Sequence, residues 1–271
     1  MILYVLGGII SFVVSFLWKS LIIDFLISHN IKVVNYNKKE IPVGIGILLL
    51  LSAVISSSFI LFITDQPMMY FVYLFGLSLV GFAGILDDLV GETKIKGLKG
   101  HLSKMCQGQL TSGGLKAIIG GLSALYVSFS FSMSLMDLLL NTLIILFFIN
   151  AMNLFDVRPG RAIKTFLITS MFVWTFSKAP DRYLTLILVG GILTIVKGDL
   201  KEEYMLGDVG ANILGYTLGF TSAISFNMGN KIFIIALLVI LHIIAEITSI
   251  SLLINKNPVL RYIDEIGRLK K

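Results

Sequence analysis

Long apolar runs, each closed by a short polar segment, organise this sequence from Ile2 to Ile254. Nine runs qualify as candidate spans: residues 2–27, 43–64, 70–86, 117–136, 138–155, 162–177, 183–196, 209–227 and 232–254. A helix crossing a bilayer needs about 20 mostly apolar residues. The sixth and seventh runs are short, which fits a tilted or re-entrant pair. Backbone in lipid must satisfy its own hydrogen bonds, so spans are helices or strands of a closed barrel. Barrel strands alternate polar and apolar positions, whereas these runs are apolar on every face. The pattern predicts an all-α polytopic transmembrane bundle of about nine helices. No repeat, low-complexity stretch or linker divides it, so residues 1–271 read as one integral membrane domain with the lipid bilayer as a partner.

Composition agrees. The chain is 56% hydrophobic and 14% charged, against about 25% charged in soluble domains. The single cysteine, Cys106, excludes an intrachain disulfide. Net charge is +6, and the placement of the charges decides topology. Seventeen of the 22 Lys and Arg fall in segments 28–42, 87–112, 156–164, 197–208 and the C-terminal tail. The opposite connections hold only Lys178, Arg182 and Lys231. The crowded side is the cytoplasmic one, with the N-terminus outside and the C-terminus inside. No basic residue precedes the first run, so the start does not read as a signal peptide. Lys19 and Asp24 place the inner end of the first span in the interface, where Lys snorkels. No nucleic-acid partner is expected.

Four polar clusters interrupt the pattern, all at cytoplasmic helix ends. The first runs from Gly81 to Asp87-Asp88. Adjacent carboxylates repel unless a cation lies against them. The second is the basic, glycine-rich stretch from Lys96 through His101 to Lys116, suited to facing phosphates. In the third, Asn150, Asn153 and Asp156 recur every three residues and form a polar strip along one helix end, followed by Arg158 and Arg161. The fourth is Gly207-Asp208-Val209-Gly210-Ala211-Asn212, where a helix begins and favours anions. Each has a plainer structural reading: a solvated cap, a topology signal, interhelical hydrogen bonding, an N-cap. Four such readings would have to coincide on one membrane face. His242 and Glu246, four apart in the last span, read as a neutral hydrogen-bonded pair.

The order Asp87-Asp88, Asn150-x-x-Asn153-x-x-Asp156, Gly207-Asp208-x-Gly210 resembles the polyprenyl-phosphate N-acetylhexosamine-1-phosphate transferase superfamily. That superfamily includes phospho-MurNAc-pentapeptide translocase and bacterial GlcNAc-1-phosphate transferases. Ile41-Pro42-Val43-Gly44 is similar to the family's early Pro/Gly element, so the resemblance covers roughly residues 41–220. It implies a reaction at the cytoplasmic face of the bacterial cell membrane, serving cell-envelope glycan or peptidoglycan precursor synthesis. Polyprenyl (undecaprenyl) phosphate attacks a UDP-sugar donor, UMP leaves, and Mg²⁺ is the cofactor. By the same resemblance Asp208 is the principal Mg²⁺ ligand, and Asp87 deprotonates or positions the lipid phosphate. Asp88 supports the metal site. Asn153 and Asp156 contact the nucleotide-sugar, with Asn150 in support, and Lys104 contacts phosphate. The oligomeric state is open, a homodimer included.

Three departures stand out. Family members continue with Gly-x-Asp-Gly after Asp156, whereas this chain has Val157-Arg158-Pro159-Gly160-Arg161; Arg158 is the candidate to compensate in donor binding. The aromatic before the Gly-Asp element, Tyr204, is shifted by one. The family's His-rich loop and tenth helix are replaced by Lys256–Lys271. These departures keep two alternatives open: a catalytically silent relative that binds lipid phosphate or nucleotide, and a transporter using the acidic face. A transporter would place its ionisable groups near mid-membrane. The charge split is testable directly. Reporter fusions after Lys104 and after Asp208 are expected to read out in the cytoplasm, and an external signal from either breaks the single-face site.

Overall fold

Among the described residues, nine helices of 16 residues or more overlap the predicted apolar runs. A computed structural model describes residues 2–91, 104, 107–177 and 183–268. Along it run α1 (Ile2–Ser28), α2 (Gly46–Leu61), α3 (Pro67–Val90), α4 (Ser112–Phe131), α5 (Leu135–Phe155), α6 (Arg161–Phe176), α7 (Leu184–Leu200), α8 (Gly207–Ser225) and α9 (Met228–Ile247). Two short helices follow, α10 (Ile250–Lys256) and α11 (Pro258–Glu265). Within the described residues α1 (from Val5), α3, α4, α5 and α9 are long and apolar enough to cross a membrane. The chain is an all-α bundle of membrane type. The basic residues Lys94, Lys96, Lys99, Lys178, Arg182, Lys270 and Lys271, and His101, lie outside the described residues.

Helix ends follow local chemistry more closely than hydropathy. Thr111 accepts from the Gly114 N–H at 3.0 Å, so α4 begins five residues before the apolar run. Ser134 caps α5 through the Asp137 N–H at 3.1 Å. The ninth run does not continue to residue 254. Thr248 and Ser249 are extended, and α9 ends at Ile247; such hydroxyl residues favour helix boundaries over interiors. Asn257 then caps α11, accepting from Val259 and Leu260, with Pro258 at its first position. The connection between α1 and α2 contains an antiparallel hairpin, β1 (Lys32–Val34) and β2 (Glu40–Pro42), pairing Val33 with Ile41.

The interior is polar-flecked and the outside apolar. Phe16, Phe62, Phe129, Met133 and Ile247 are exposed, while Ser11, Ser15, Ser52 and Ser56 are buried. Ser15 and Thr194 share a hydrogen bond of 2.7 Å between α1 and α7, and Lys19 donates to the Thr194 carbonyl at 2.9 Å. Small polar residues allow close helix approach in lipid. α8 is the central helix: every residue from Val209 to Ala223 is buried, and it packs chiefly on α5 and α3. It mixes Gly, Ser, Thr, Asn and Tyr with aliphatics because it faces protein on all sides.

The glycines divide into two kinds. A Cβ on Gly215 of α8 would lie 2.5 Å from the Phe148 carbonyl oxygen and 2.6 Å from Ile149 Cα, both backbone atoms of α5. Gly121 of α4 has nothing within 4 Å of such a Cβ. α4 lies further from its neighbours there. Gly215→Ala is expected to lower stability by about 1–3 kcal/mol through overpacking. Gly121→Ala is expected to be neutral or to gain up to about 1 kcal/mol of helix propensity. Thermal unfolding of both variants in one detergent checks the contrast; equal shifts would refute the packing assignment.

Candidate functional site

The start of α8 exposes backbone N–H groups that no helical carbonyl can reach. Carboxylates from three other segments lie against them. The Leu206 N–H faces Asp199 at the end of α7, and the Gly207 N–H faces Asp156 at the end of α5. Asp88, in the last turn of α3, accepts from Asp208 N at 2.8 Å and Val209 N at 3.1 Å. Gly207 makes this possible. Its φ is +78°, and a Cβ there would lie 2.6 Å from Asp88 Oδ2 and 2.8 Å from Gly44 N, so only glycine fits. The Pro42–Gly46 segment runs alongside: Met205 N donates to Pro42 O at 2.8 Å and Gly46 N to Leu206 O at 3.0 Å.

With Asp88 committed to the helix start, Asp87 turns to a different neighbour. Lys116, near the start of α4, places its Nζ 3.3 Å from Asp87 Oδ2, 2.9 Å from Asp208 Oδ1 and 3.3 Å from Asn153 Oδ1. Asn153 is oriented for this. Its Nδ2 donates to Ile149 O at 2.8 Å and to Asn212 Oδ1 at 2.9 Å, leaving its own oxygen toward the ammonium. Four helices thus meet at one cation. The side chains of Lys116 and Asp87 are 20% and 17% exposed, and that of Asp208 is 36% exposed, so the node opens outward at Asp208. Loss of water, then the nearby carboxylates of Asp199, Asp208 and Asp88, push the Asp156 carboxyl well above the ordinary carboxylate range.

A narrow cleft lies beside Asp156 and Asp199, between the hairpin and the α5–α6 connection. Arg158 stacks over the Tyr36 ring there at 4.1 Å. Glu202 fixes the hairpin, accepting from Asn35, Tyr36 and Asn37 at 2.8–2.9 Å. Burial would raise the Glu202 carboxyl, but these hydrogen bonds outweigh it and hold it below its usual value.

The predicted residues therefore separate. Asp87, Asn153 and Asp208 share Lys116; Asp88 and Asp156 hold the α8 start; Arg158 lies in the adjoining cleft. Asn150 is exposed and joins none of these hydrogen bonds. Lys104 donates to Gln109 Oε1 at 3.0 Å and makes no described contact with the node. Lys116 and Asp199 were not predicted as site residues. Lys116 carried a signal, since a lysine near a helix N-terminus opposes the macrodipole and needs acids nearby. His242 binds the Leu238 carbonyl at 2.7 Å within its own helix, and Glu246 is exposed, so they do not form the expected pair.

Among the described residues no three His, Cys, Asp or Glu side chains group as a metal cage. Asp87 and Asp208 converge as two carboxylates, which suits Mg²⁺ when substrate phosphates supply further oxygens. No protein-family model matches the chain, and no curated protein matches it.

The two halves of the aspartate pair should respond differently to mutation. Asp88→Ala removes a cap on two N–H groups and is expected to cost about 1–2 kcal/mol of stability. Asp87→Asn keeps its size, relieves charge crowding beside Asp208, and is expected to change stability by less than about 1 kcal/mol. Thermal unfolding without ligand separates them, and a reversed order would overturn the division of roles.

Proposed function

We propose that this chain is a Mg²⁺-dependent glycosyl-1-phosphate transferase of the polyprenyl-phosphate N-acetylhexosamine-1-phosphate transferase type. Its nine long helices span the bacterial cell membrane, with the N-terminus outside and the site on the cytoplasmic face. The observation that carries the reading is the meeting of Asp87, Asn153 and Asp208, from α3, α5 and α8, at one cation position. These residues belong to three of the motifs on which the resemblance rests, and sequence distance alone gives no reason for them to touch.

In this reading an oxygen of undecaprenyl phosphate forms a bond to the sugar-side phosphorus of a UDP-sugar. The bridging P–O bond breaks, and the bridging oxygen leaves with UMP. The polyprenyl-diphospho-sugar stays in the bilayer. Asp208 and Asp87 would hold Mg²⁺, which would supply positive charge to neutralise the diphosphate. Asp87 also accepts the remaining proton of the lipid phosphate or fixes its position. Asn153 and Arg158 orient the nucleotide-sugar. A silent, ligand-binding relative is the second reading, favoured by the ammonium of Lys116 already lying between Asp87 and Asp208.

The test is UMP release by purified protein with undecaprenyl phosphate and a panel of UDP-sugars. Release is expected with at least one donor, dependent on Mg²⁺ and abolished by chelator. Asp208→Asn is expected to lower turnover by roughly a hundredfold or more while the protein stays folded. Asp87→Asn is expected to lose rate while retaining part of its metal-dependent nucleotide binding. Nucleotide binding without release for any donor would select the silent relative, and full activity of Asp208→Asn would remove the metal assignment.

A further inference from the structure

We infer that Lys116 is the resting occupant of the divalent-cation position and exchanges with the ion when substrate arrives. The inference rests on the transferase reading for the identity of the arriving phosphate, but its central test does not require turnover. Asp87 and Asp208 lie on either side of one ammonium, 3.3 and 2.9 Å from it, and two carboxylates gathered so closely repel unless a cation lies between them. Among the described residues, Lys116 is the cation that pairs with either of them. Its ammonium lies within 3.3 Å of both carboxylates and of the Asn153 oxygen. That is where a cation shared by the two carboxylates would have to sit.

The placement is costly in the absence of those acids. Lys116 sits in the second turn of α4, near the positive end of that helix. Its side chain is only 20% exposed, so it has lost much of its water. Two carboxylates and an amide oxygen replace that water. Lysine suits exchange because its charge is a point on a flexible four-carbon stem. Asp208, the most exposed partner, marks the open side. When a divalent ion and a diphosphate enter together, Lys116 yields its place and turns its N–H groups to phosphate oxygens. The carboxylate pair is thus never left without a counter-charge, and the free ion binds weakly until its phosphate partner is present.

The experiment uses Mn²⁺ alone as the probe, with free ion read by electron paramagnetic resonance against full-length protein in lipid nanodiscs. Lys116→Met is expected to bind Mn²⁺ at least about tenfold more tightly than the unmodified protein, because a competing unit charge is gone. Lys116→Arg is expected to bind it more weakly, because a guanidinium grips two carboxylates in a fixed fork. The order Met, Lys, Arg supports exchange, and the Arg variant keeps the test decisive if the Met variant misfolds. Equal affinities, weaker binding by Lys116→Met, or no binding by any variant overturns it. UMP release measured in parallel separates the two claims. Release by the unmodified protein with no affinity order sinks the exchange and spares the transferase. The affinity order with no release for any donor does the reverse.

Discussion

Capture of the α8 N-terminus is the constraint on which the rest of the arrangement depends. A helix buried on all sides cannot leave its first N–H groups to water. Here Asp88 takes the N–H groups of Asp208 and Val209, and Asp199 and Asp156 face those of Leu206 and Gly207. Each acid comes from the end of a different helix, so α7, α5 and α3 are registered against α8 at one level. Gly207 must lack a side chain because Asp88 fills the space beside it. The helix start, its glycine and its acids form one unit, and removing any part leaves a buried polar group unmatched.

That unit explains how the polar residues divide their work. Neighbouring positions on a helix point about 100° apart, and here Asp87 and Asp88 accept from different groups, the Lys116 ammonium and the N–H groups of Asp208 and Val209. One closes the helix start, and the other is left beside Asp208 with a charge to balance. Lys116 balances it with contributions from four helices. A packed, capped interior thus presents a charged node at its edge, where Asp208 remains partly exposed. The same placement suits a site that takes one substrate from the bilayer and another from water.

Much of this was legible in the sequence, and the failures have physical causes. Apolar runs located all nine long helices, because lipid-facing and core positions are both apolar and hydropathy counts them alike. It could not place α8 at the centre, since burial in protein and exposure to lipid leave similar residues. The motif positions Asp87, Asn153 and Asp208 were identified, and they share a node. What the sequence did not reveal was direction: nothing in Asp87-Asp88 says which carboxylate caps and which faces the cation. Asn150 recurs on the period of Asn153 and Asp156 yet is exposed, because a spacing of three drifts around a helix of 3.6 residues per turn. The hairpin was missed because three-residue strands carry almost no periodic signal.

Long-range ion pairs were the least visible feature, yet they followed one rule. Arg161 begins α6 and Lys116 lies near the start of α4; both are cations at helix ends where the macrodipole is unfavourable. Each is held by acids far away in sequence. Arg161, 4% exposed, forms two hydrogen bonds of 2.8 Å with Asp264 on α11, and Arg268 joins the same carboxylate. Burial would raise the Asp264 carboxyl, but Arg161 and Arg268 outweigh it and hold it below its usual value. An unpaired guanidinium there would be strongly destabilising, so the α5–α6 connection and the C-terminal helix are tied together. A cation at the unfavourable end of a helix is therefore informative in the sequence itself. Here Lys116, Arg161 and Lys231, near the starts of α4, α6 and α9, each meet a carboxylate distant in sequence, and each pair marks a place where distant segments close on each other.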